Sequence, residues 1–182
     1  MRLRVLGCGD AFGSGGRFNT CFHVASEGPR AGFLVDCGAS SLIAIRRFGV
    51  DPNGVSSVLM THLHGDHFGG LPWLILDGQL VSRRTKPLVI VGPPGTEARL
   101  FAAMEALFPG SSTVERRFVV DIREIEAGTP LTVGDVAATA FTMRHPSGAP
   151  SQALRLACDG KVVAYTGDTE WVDAIVPAGR QA

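Results

Sequence analysis

Several features that would mark common protein classes are missing from this sequence. Its 17 basic and 17 acidic residues give a formal net charge of +0, so no overall basic field attracts nucleic acid, and an RNA substrate is less favoured. No apolar run approaches the ~20 residues of a membrane span. Residues 1–7 lack the apolar core of a signal peptide. We therefore expect a cytoplasmic protein without a membrane partner.

Motifs of nucleotide binding and of serine catalysis are also absent. The glycine-rich stretch 7–16 lacks both the G-x-G-x-x-G fingerprint and the lysine of a P-loop, so its glycines are interpreted as tight turns. No G-x-S-x-G motif occurs. No C-x-x-C pair occurs either. We interpret the cysteines as buried small hydrophobes in a reducing compartment, with a disulfide left open; they are Cys8, Cys21, Cys37 and Cys158.

What the sequence does contain is a cluster of histidines at the end of an apolar run. Residues 58–67 read Val-Leu-Met-Thr-His-Leu-His-Gly-Asp-His. His62 and His64 are two apart, so in an extended segment both point to one side and can hold one ion. Asp66 and His67 follow a glycine turn and face a neighbouring position. A polar loop that caps a strand is the alternative, which three histidines and an aspartate make improbable. Zinc, iron and manganese accept such ligands.

Two further strand ends carry the same chemistry. His145 follows the predicted strand 136–143, and it is the natural third imidazole for the first metal. Asp168 follows the strand 161–165 beside a glycine that permits close approach. The alternatives are a loop histidine next to proline and a plain turn aspartate. His23 lies within a predicted strand and is interpreted as a packed histidine.

The pattern H-x-H-x-D-H, with the flanking segments Phe33–Gly38 and Gly69–Pro72, resembles the metallo-β-lactamase superfamily of hydrolases. Within it, the chain is most similar to the ribonuclease Z-like branch, which includes phosphodiesterases and arylsulfatase-like members. The resemblance covers residues 2 to about 176. It implies an α/β protein with an αββα sandwich, which we assign to a single domain over residues 1–182.

The resemblance also implies a set of metal ligands. His62, His64 and His145 would hold the first metal. Asp66 and His67 would hold the second, and Asp168 would bridge them. The cofactors expected are two divalent metal ions, zinc first, with manganese or iron as alternatives. Asp66 would also orient the nucleophile or move its proton. Asp36 would orient a ligand imidazole, with a strand-end turn aspartate as an equal alternative.

Two departures from the resembled family bear on function. Its members continue after this point with further strands and helices and a final histidine ligand, whereas no histidine follows His145 here. We therefore expect a truncated chain, incomplete at the C-terminus of the fold, or an incomplete second metal site. The gap between His145 and Asp168 also lacks the long arm that grips tRNA. This predicts a small-molecule or nucleotide-type ester substrate; a homodimer is expected by analogy.

The predicted function is a metal-dependent hydrolase in which two metals activate a water, most favourably toward a phosphodiester. Arylsulfate, lactone or another ester stays open as the substrate. A non-catalytic metal-binding or partner-binding protein is the second hypothesis, and a di-iron redox protein is a less favoured third.

Length and patterning predict the elements. The 182 residues, 45% of them hydrophobic, suit one domain with a sizeable core. The strands are predicted at residues 2–6, 20–24, 31–36, 58–60, 86–91, 136–143, 152–157 and 161–165. The helices are predicted from residue 40 to 49, 71–80, 96–108 with Thr96 as cap, and 171–176. The basic clusters Arg83–Lys86 and Arg116–Arg117 are interpreted as solvated faces.

Overall fold

The computed structural model describes residues 1–25 and 32–182; Ala31, the first residue of one predicted strand, lies outside them. The strands are β1 Arg2–Gly7, β2 Cys21–Ala25, β3 Gly32–Val35, β4 Val55–Leu59, β5 Leu88–Gly92, β6 Val120–Glu124, β7 Pro130–Val133, β8 Val136–Met143, β9 Ser151–Cys158 and β10 Lys161–Tyr165. The helices are α1 Ser41–Arg47, α2 Gly65–Phe68, α3 Leu71–Leu80, α4 Thr96–Leu107 and α5 Ile175–Gly179, with 3-10 turns at Ser14–Gly16 and Pro52–Gly54.

The first sheet has six strands in the order β1-β2-β3-β4-β5-β6. The pairs β1–β2 and β2–β3 are antiparallel, and β3 to β6 run parallel. Parallel strands need crossover connections, which α1, α2 with α3, and α4 supply. Because this arrangement covers both faces, β3 and β5 are apolar and mostly buried, and β4 carries two serines, Ser56 and Ser57, among its apolar residues. The carboxyl ends of β3, β4 and β5 therefore meet at one edge of the sheet.

The second sheet has four antiparallel strands in the order β10-β9-β8-β7. The predicted hairpin is confirmed, since Lys161 pairs with Cys158 across the turn. Asp159 has φ 52° and Gly160 has φ 66°, which is the left-handed geometry of a tight two-residue hairpin. This hairpin and β8 bring residues 144–150 and 166–168 to the same edge as the end of β4.

Apolar layers join the sheets and helices into the αββα sandwich that the resemblance implied. Leu59, Val91 and Leu154 belong to the core between the two sheets. Ile45, Leu74 and Leu100 belong to the layer between the first sheet and the helices α1, α3 and α4. On the outer face of the second sheet, α5 packs through Ala178 against Met143 and Ala153. Within the described residues, no helix is long and apolar enough to cross a membrane.

Several local predictions were wrong. Gly95, with φ 93°, caps α4, and the Thr96 hydroxyl donates to the Pro93 carbonyl instead. The last helix begins at Ile175 rather than residue 171 and contains Pro177, which the first turn tolerates because its N–H groups have no helical acceptor. Cys8 is exposed, whereas Cys21, Cys37 and Cys158 are buried, and the four cysteines form no disulfide with one another.

One basic cluster is a solvated face only in part: Arg83, Thr85 and Lys86 are exposed as predicted, whereas Arg84 is buried. Arg84 is 4% exposed, and its guanidinium donates to the carbonyl oxygens of Pro52, Val55, Lys86 and Pro87. Since a guanidinium carries five donors in a rigid fork, it satisfies several backbone acceptors between the Pro52–Gly54 turn, β4 and the start of β5. Arg84 therefore has a structural role that its place in an Arg-Arg-Thr-Lys cluster did not indicate.

Candidate metal centre

The predicted site residues come from three chain segments that end at the same edge of the sandwich. His62 and His64 follow β4, and the short helix α2 turns Asp66 and His67 inward. The segment after β8 brings His145 to within 3.0 Å of the His64 ring, measured between His145 Nε2 and His64 Nδ1. All six predicted residues, Asp168 included, thus lie together, and their roles as ligands stay predictions.

The first group consists of His62, His64 and His145, whose ligand atoms all lie within 4.8 Å of one another. The ring centroids are 5.0 Å apart for His62 and His64, 5.0 Å for His62 and His145, and 4.8 Å for His64 and His145. The Nε2 atom of His62 is buried and has no hydrogen-bond partner among the described residues. A buried nitrogen of this kind requires a partner, and a cation held by the three imidazoles would supply it.

The second group consists of His62, His67 and Asp168, again with ligand atoms within 4.8 Å. Nε2 of His67 lies 3.4 Å from Oδ1 of Asp168 and 3.6 Å from Oδ2 of Asp66. The other oxygen of Asp168 lies 3.9 Å from Nε2 of His145. The Asp168 carboxylate therefore spans the two groups, as expected of a bridging ligand.

Asp36 supports the site from beneath. It is fully buried and adopts φ 56°, a left-handed conformation in which Asp is enriched. Its carboxylate accepts from the Thr61 amide at 2.7 Å, from the Thr61 hydroxyl at 2.8 Å and from Nδ1 of His67 at 2.7 Å. Of the two interpretations of Asp36, these contacts favour the one in which it orients a ligand imidazole.

This network also determines which nitrogen of each histidine is free. The Thr61 hydroxyl has one proton and gives it to Asp36, so Nδ1 of His62, 3.0 Å away, must donate to that hydroxyl. Nδ1 of His67 likewise donates to Asp36. In both rings Nε2 is then left with its lone pair directed into the site. The donor set therefore fits a divalent metal, and Thr61 is a positioning residue that sequence reasoning missed.

The electrostatics differ between the two buried imidazoles: they favour the neutral form of His62 and make His67 more basic. Burial, followed by the neighbouring His67, His145 and His64, lowers the pKa of His62 to about 3. Burial alone would lower the pKa of His67, but its hydrogen bond to Asp36 and the charges of Asp36, Asp168 and Asp66 raise it above its usual value. Burial raises the pKa of Asp36, against the opposing effect of its bonds to His67 and Thr61.

Glycines in the motif flanks allow the segments to approach closely. A Cβ on Gly167, which has φ 60°, would lie 2.8 Å from Cβ of Thr61. A Cβ on Gly38 would lie 2.0 Å from the Asp66 carbonyl, and one on Gly70 would lie 2.3 Å from the Gly38 carbonyl. Side chains at these positions would push the ligand segments apart, which explains why the Asp-Cys-Gly and Gly-Gly flanks accompany the histidine motif.

Four of the candidate ligands line a cleft of about 610 Å³, namely His64, Asp66, His145 and Asp168, and His62 and His67 lie buried beside them. Its other wall is the loop between β1 and β2, which contributes Asp10, Phe12 and Asn19. Sequence reasoning assigned no function to this loop; the only signal was its clustering of glycines beside an aspartate and an asparagine.

An αββα sandwich with histidine and aspartate side chains gathered at its strand ends defines a metallo-β-lactamase-fold protein of the ribonuclease Z-like kind. Residues 1–180 match the family described as Anti-Pycsar protein Apyc1, and the chain belongs to that family.

Relatives and solved structures agree with this assignment. Ribonuclease BN of Cronobacter sakazakii is 31% identical over 147 residues, which are 80% of this chain and 46% of that protein. The human short-form tRNase Z structure aligns with a TM-score of 0.75 at 25% identity, covering 94% of this chain and 71% of that one. The metallo-β-lactamase fold protein YhfI from Bacillus subtilis aligns with a TM-score of 0.76 at 23% identity, covering 96% and 65%. The chain spans about half the length of the ribonucleases it matches.

Proposed function

We propose that this protein is a metal-dependent phosphodiesterase that acts on small nucleotide-type diesters. The observation that supports the proposal is the convergence of two donor groups, with His62 in both, beside a cleft that His64, His145 and Asp168 line. In the proposed centre, His62, His64 and His145 hold one ion, Asp66 and His67 hold the other, and Asp168 bridges. Nitrogen and carboxylate donors suit zinc, with manganese and iron as alternatives.

A pair of divalent cations, when bound, supplies a water that is deprotonated near neutral pH and positive charge beside the attacked phosphoryl group. The protein's own part is to position the donors. Asp36 and Thr61 hold the rings of His67 and His62 with Nε2 facing the cleft. The Asp66 carboxylate, 3.6 Å from Nε2 of His67, lies where it can accept the proton of the attacking water or orient it.

The names of the relatives support a phosphodiester as the substrate, and the structure between His145 and Asp168 together with the net charge supports a small one. The relatives are named as ribonucleases, enzymes that by name cleave the phosphodiesters of RNA. Between His145 and Asp168, however, the chain forms only the hairpin of β9 and β10, and the formal net charge is +0. Neither feature provides a basic surface that would follow a long RNA backbone.

A non-catalytic metal-binding protein is the competing function, and one feature favours it. His62 belongs to both donor groups, so the described residues offer fewer separate donors than two complete sites require. A single tightly held ion without turnover would follow from such a centre.

Metal analysis combined with hydrolysis separates the two functions. We expect two equivalents of metal per chain and turnover of bis(p-nitrophenyl) phosphate in preference to p-nitrophenyl sulfate or a lactone. His64→Ala removes a donor of the first group and should abolish both the second equivalent and the turnover. His23→Gln, on β2, is the matched control and should leave both unchanged. One equivalent or none, with no turnover of any ester, would establish the non-catalytic alternative.

We further propose that two copies associate through an apolar surface on α3 and α4. Exposed Leu80 of α3, Leu107 of α4 and Val114 from the segment after α4 line one pocket there, and such patches mark interaction sites. Light scattering should give twice the chain mass for the wild type and the single mass for Leu80→Glu. A monomeric wild type would contradict this assembly.

A further inference from the structure

Phe12 is the most exposed of the large apolar side chains in the described part of the chain. It is 92% exposed and lies on the wall of the cleft that contains His64, Asp66 and His145. Isolated exposed apolar residues are common, but an aromatic ring that lines the same cleft as the candidate ligands faces the space that the proposed substrate would occupy.

The loop that carries Phe12 is held by hydrogen bonds and not by packing of the ring. The Asp10 carboxylate accepts from the amides of Phe12 and Ser14, both at 3.0 Å. The Asn19 side chain donates to the Asp10 carbonyl at 2.8 Å and accepts from the Ser40 amide at 3.1 Å. Because the side chain of Ser40 also accepts from the Asn19 amide at 2.8 Å, the loop is tied firmly to the chain before α1.

Fixed backbone positions on both sides of the ring have a chemical consequence. With its backbone held in place, Phe12 has only two side-chain torsions to order when a flat partner stacks on the ring, so more of the stacking energy appears as affinity. A nucleobase is such a partner, and every base has a π-face that can stack on an aromatic side chain.

We propose that Phe12 is a specificity-determining residue that stacks with the nucleobase of the substrate while the phosphodiester lies on the candidate ligands. The inference rests on the proposed phosphodiesterase function and narrows it to diesters that carry a nucleobase. Phe12 takes no part in bond cleavage, so its loss should affect recognition of the base and leave the chemistry on the phosphorus intact.

Two substrates with the same leaving group isolate the contribution of the base. For a thymidine p-nitrophenyl phosphodiester, Phe12→Ala should reduce kcat/KM by roughly 5- to 100-fold, mainly through KM, as expected for one lost base–aromatic stack. For ethyl p-nitrophenyl phosphate, the same variant should match the wild type, and Phe12→Tyr should restore the preference for thymidine. Phe101→Ala, on α4 and 41% exposed, is the control and should change neither substrate. An equal loss on both substrates would overturn the proposal.

A binding measurement tests the same contact without turnover. In Phe12→Trp, thymidine monophosphate should quench the new indole fluorescence, whereas ribose phosphate, which lacks the base, should not. Quenching without any diester hydrolysis would uphold the stacking site and refute the proposed function. Hydrolysis with no quenching, or equal quenching by both ligands, would refute the stacking site and leave the proposed function standing. Loss of self-association in Phe12→Ala would also refute the stacking site, because the ring would then be covered by a second copy of the chain.

Discussion

Replacing Asp36 by Asn should exchange the free nitrogen on both buried histidines without changing the shape of the site. The carboxylate now accepts three hydrogen bonds, two from Thr61 and one from His67. An asparagine can keep its oxygen on the Thr61 amide, but its NH₂ group then faces the Thr61 hydroxyl and Nδ1 of His67. Both of these groups must become acceptors.

The consequence extends to both imidazoles. Nδ1 of His67 accepts from the asparagine, so the proton moves to Nε2 and occupies the position of the metal. The Thr61 hydroxyl, now an acceptor from asparagine, donates to Nδ1 of His62, which moves the second proton to Nε2 of that ring. Loss of such a supporting group typically reduces metal affinity by about 10- to 100-fold. Because two candidate ligands are affected, we expect the metal affinity of Asp36→Asn to fall by about 100-fold or more.

Folding should survive the substitution, because every group that now bonds to Asp36 keeps a partner and the side-chain volume is almost unchanged. We expect the metal-free variant to unfold within about 1 kcal/mol of the metal-free wild type, since replacing a satisfied network by another satisfied one is nearly neutral. Chelator competition measures the affinity, urea unfolding measures the stability, and nitrogen NMR of the histidines reports which ring nitrogen carries the proton. Wild-type metal affinity with protons on Nε2 would refute the reasoning, as would an unchanged tautomer.

Three further outcomes follow from the structure. Arg84→Met should lower the free energy of unfolding, measured in urea, by about 2–4 kcal/mol, because it leaves buried carbonyls without donors at about 1–3 kcal/mol each. The control Arg117→Met, at an exposed position, should have little effect. Equal losses in the two variants would contradict the buried role of Arg84. Gly167→Ala should reduce bound metal measured by mass spectrometry, because its Cβ would lie 2.8 Å from Cβ of Thr61 and displace Asp168; a full metal complement would count against the close fit. Removing metal with a chelator should lower the Tm, and adding zinc should restore it, because zinc at a hundredfold excess over Kd adds about 3 kcal/mol to the free energy of unfolding. A Tm that does not change with metal would contradict the proposed centre.

Local signals were sufficient where the relevant geometry is itself local. The spacing of His62 and His64 places two rings on one side of an extended segment, whatever the rest of the chain does. The Asp159-Gly160 turn requires left-handed backbone at both residues, and the structure has φ of 52° and 66° there. The alternation along Val136–Met143 gave the bounds of β8 without error.

Tertiary packing decided how much of each helix is buried, which the period of apolar residues along the sequence does not show. The apolar pattern of α3 indicates a buried helix that includes Leu80, and that of α4 indicates an apolar side that includes Leu107, yet the two residues are 63% and 47% exposed. A helix period shows which residues share a side, but how far the neighbouring elements cover that side depends on their tertiary placement.

The sequence by itself determined which side chains are the candidate metal ligands and that they lie at strand ends, because a short motif carries both its residue types and their spacing. The tertiary structure alone decided that Thr61 and Asp36 orient the rings, that Arg84 is buried, and that Phe12 faces the cleft. Each of these depends on contacts between residues 20 or more positions apart or on the solvent exposure of one side chain. Such pairings arise from strand order and register, which no local pattern encodes.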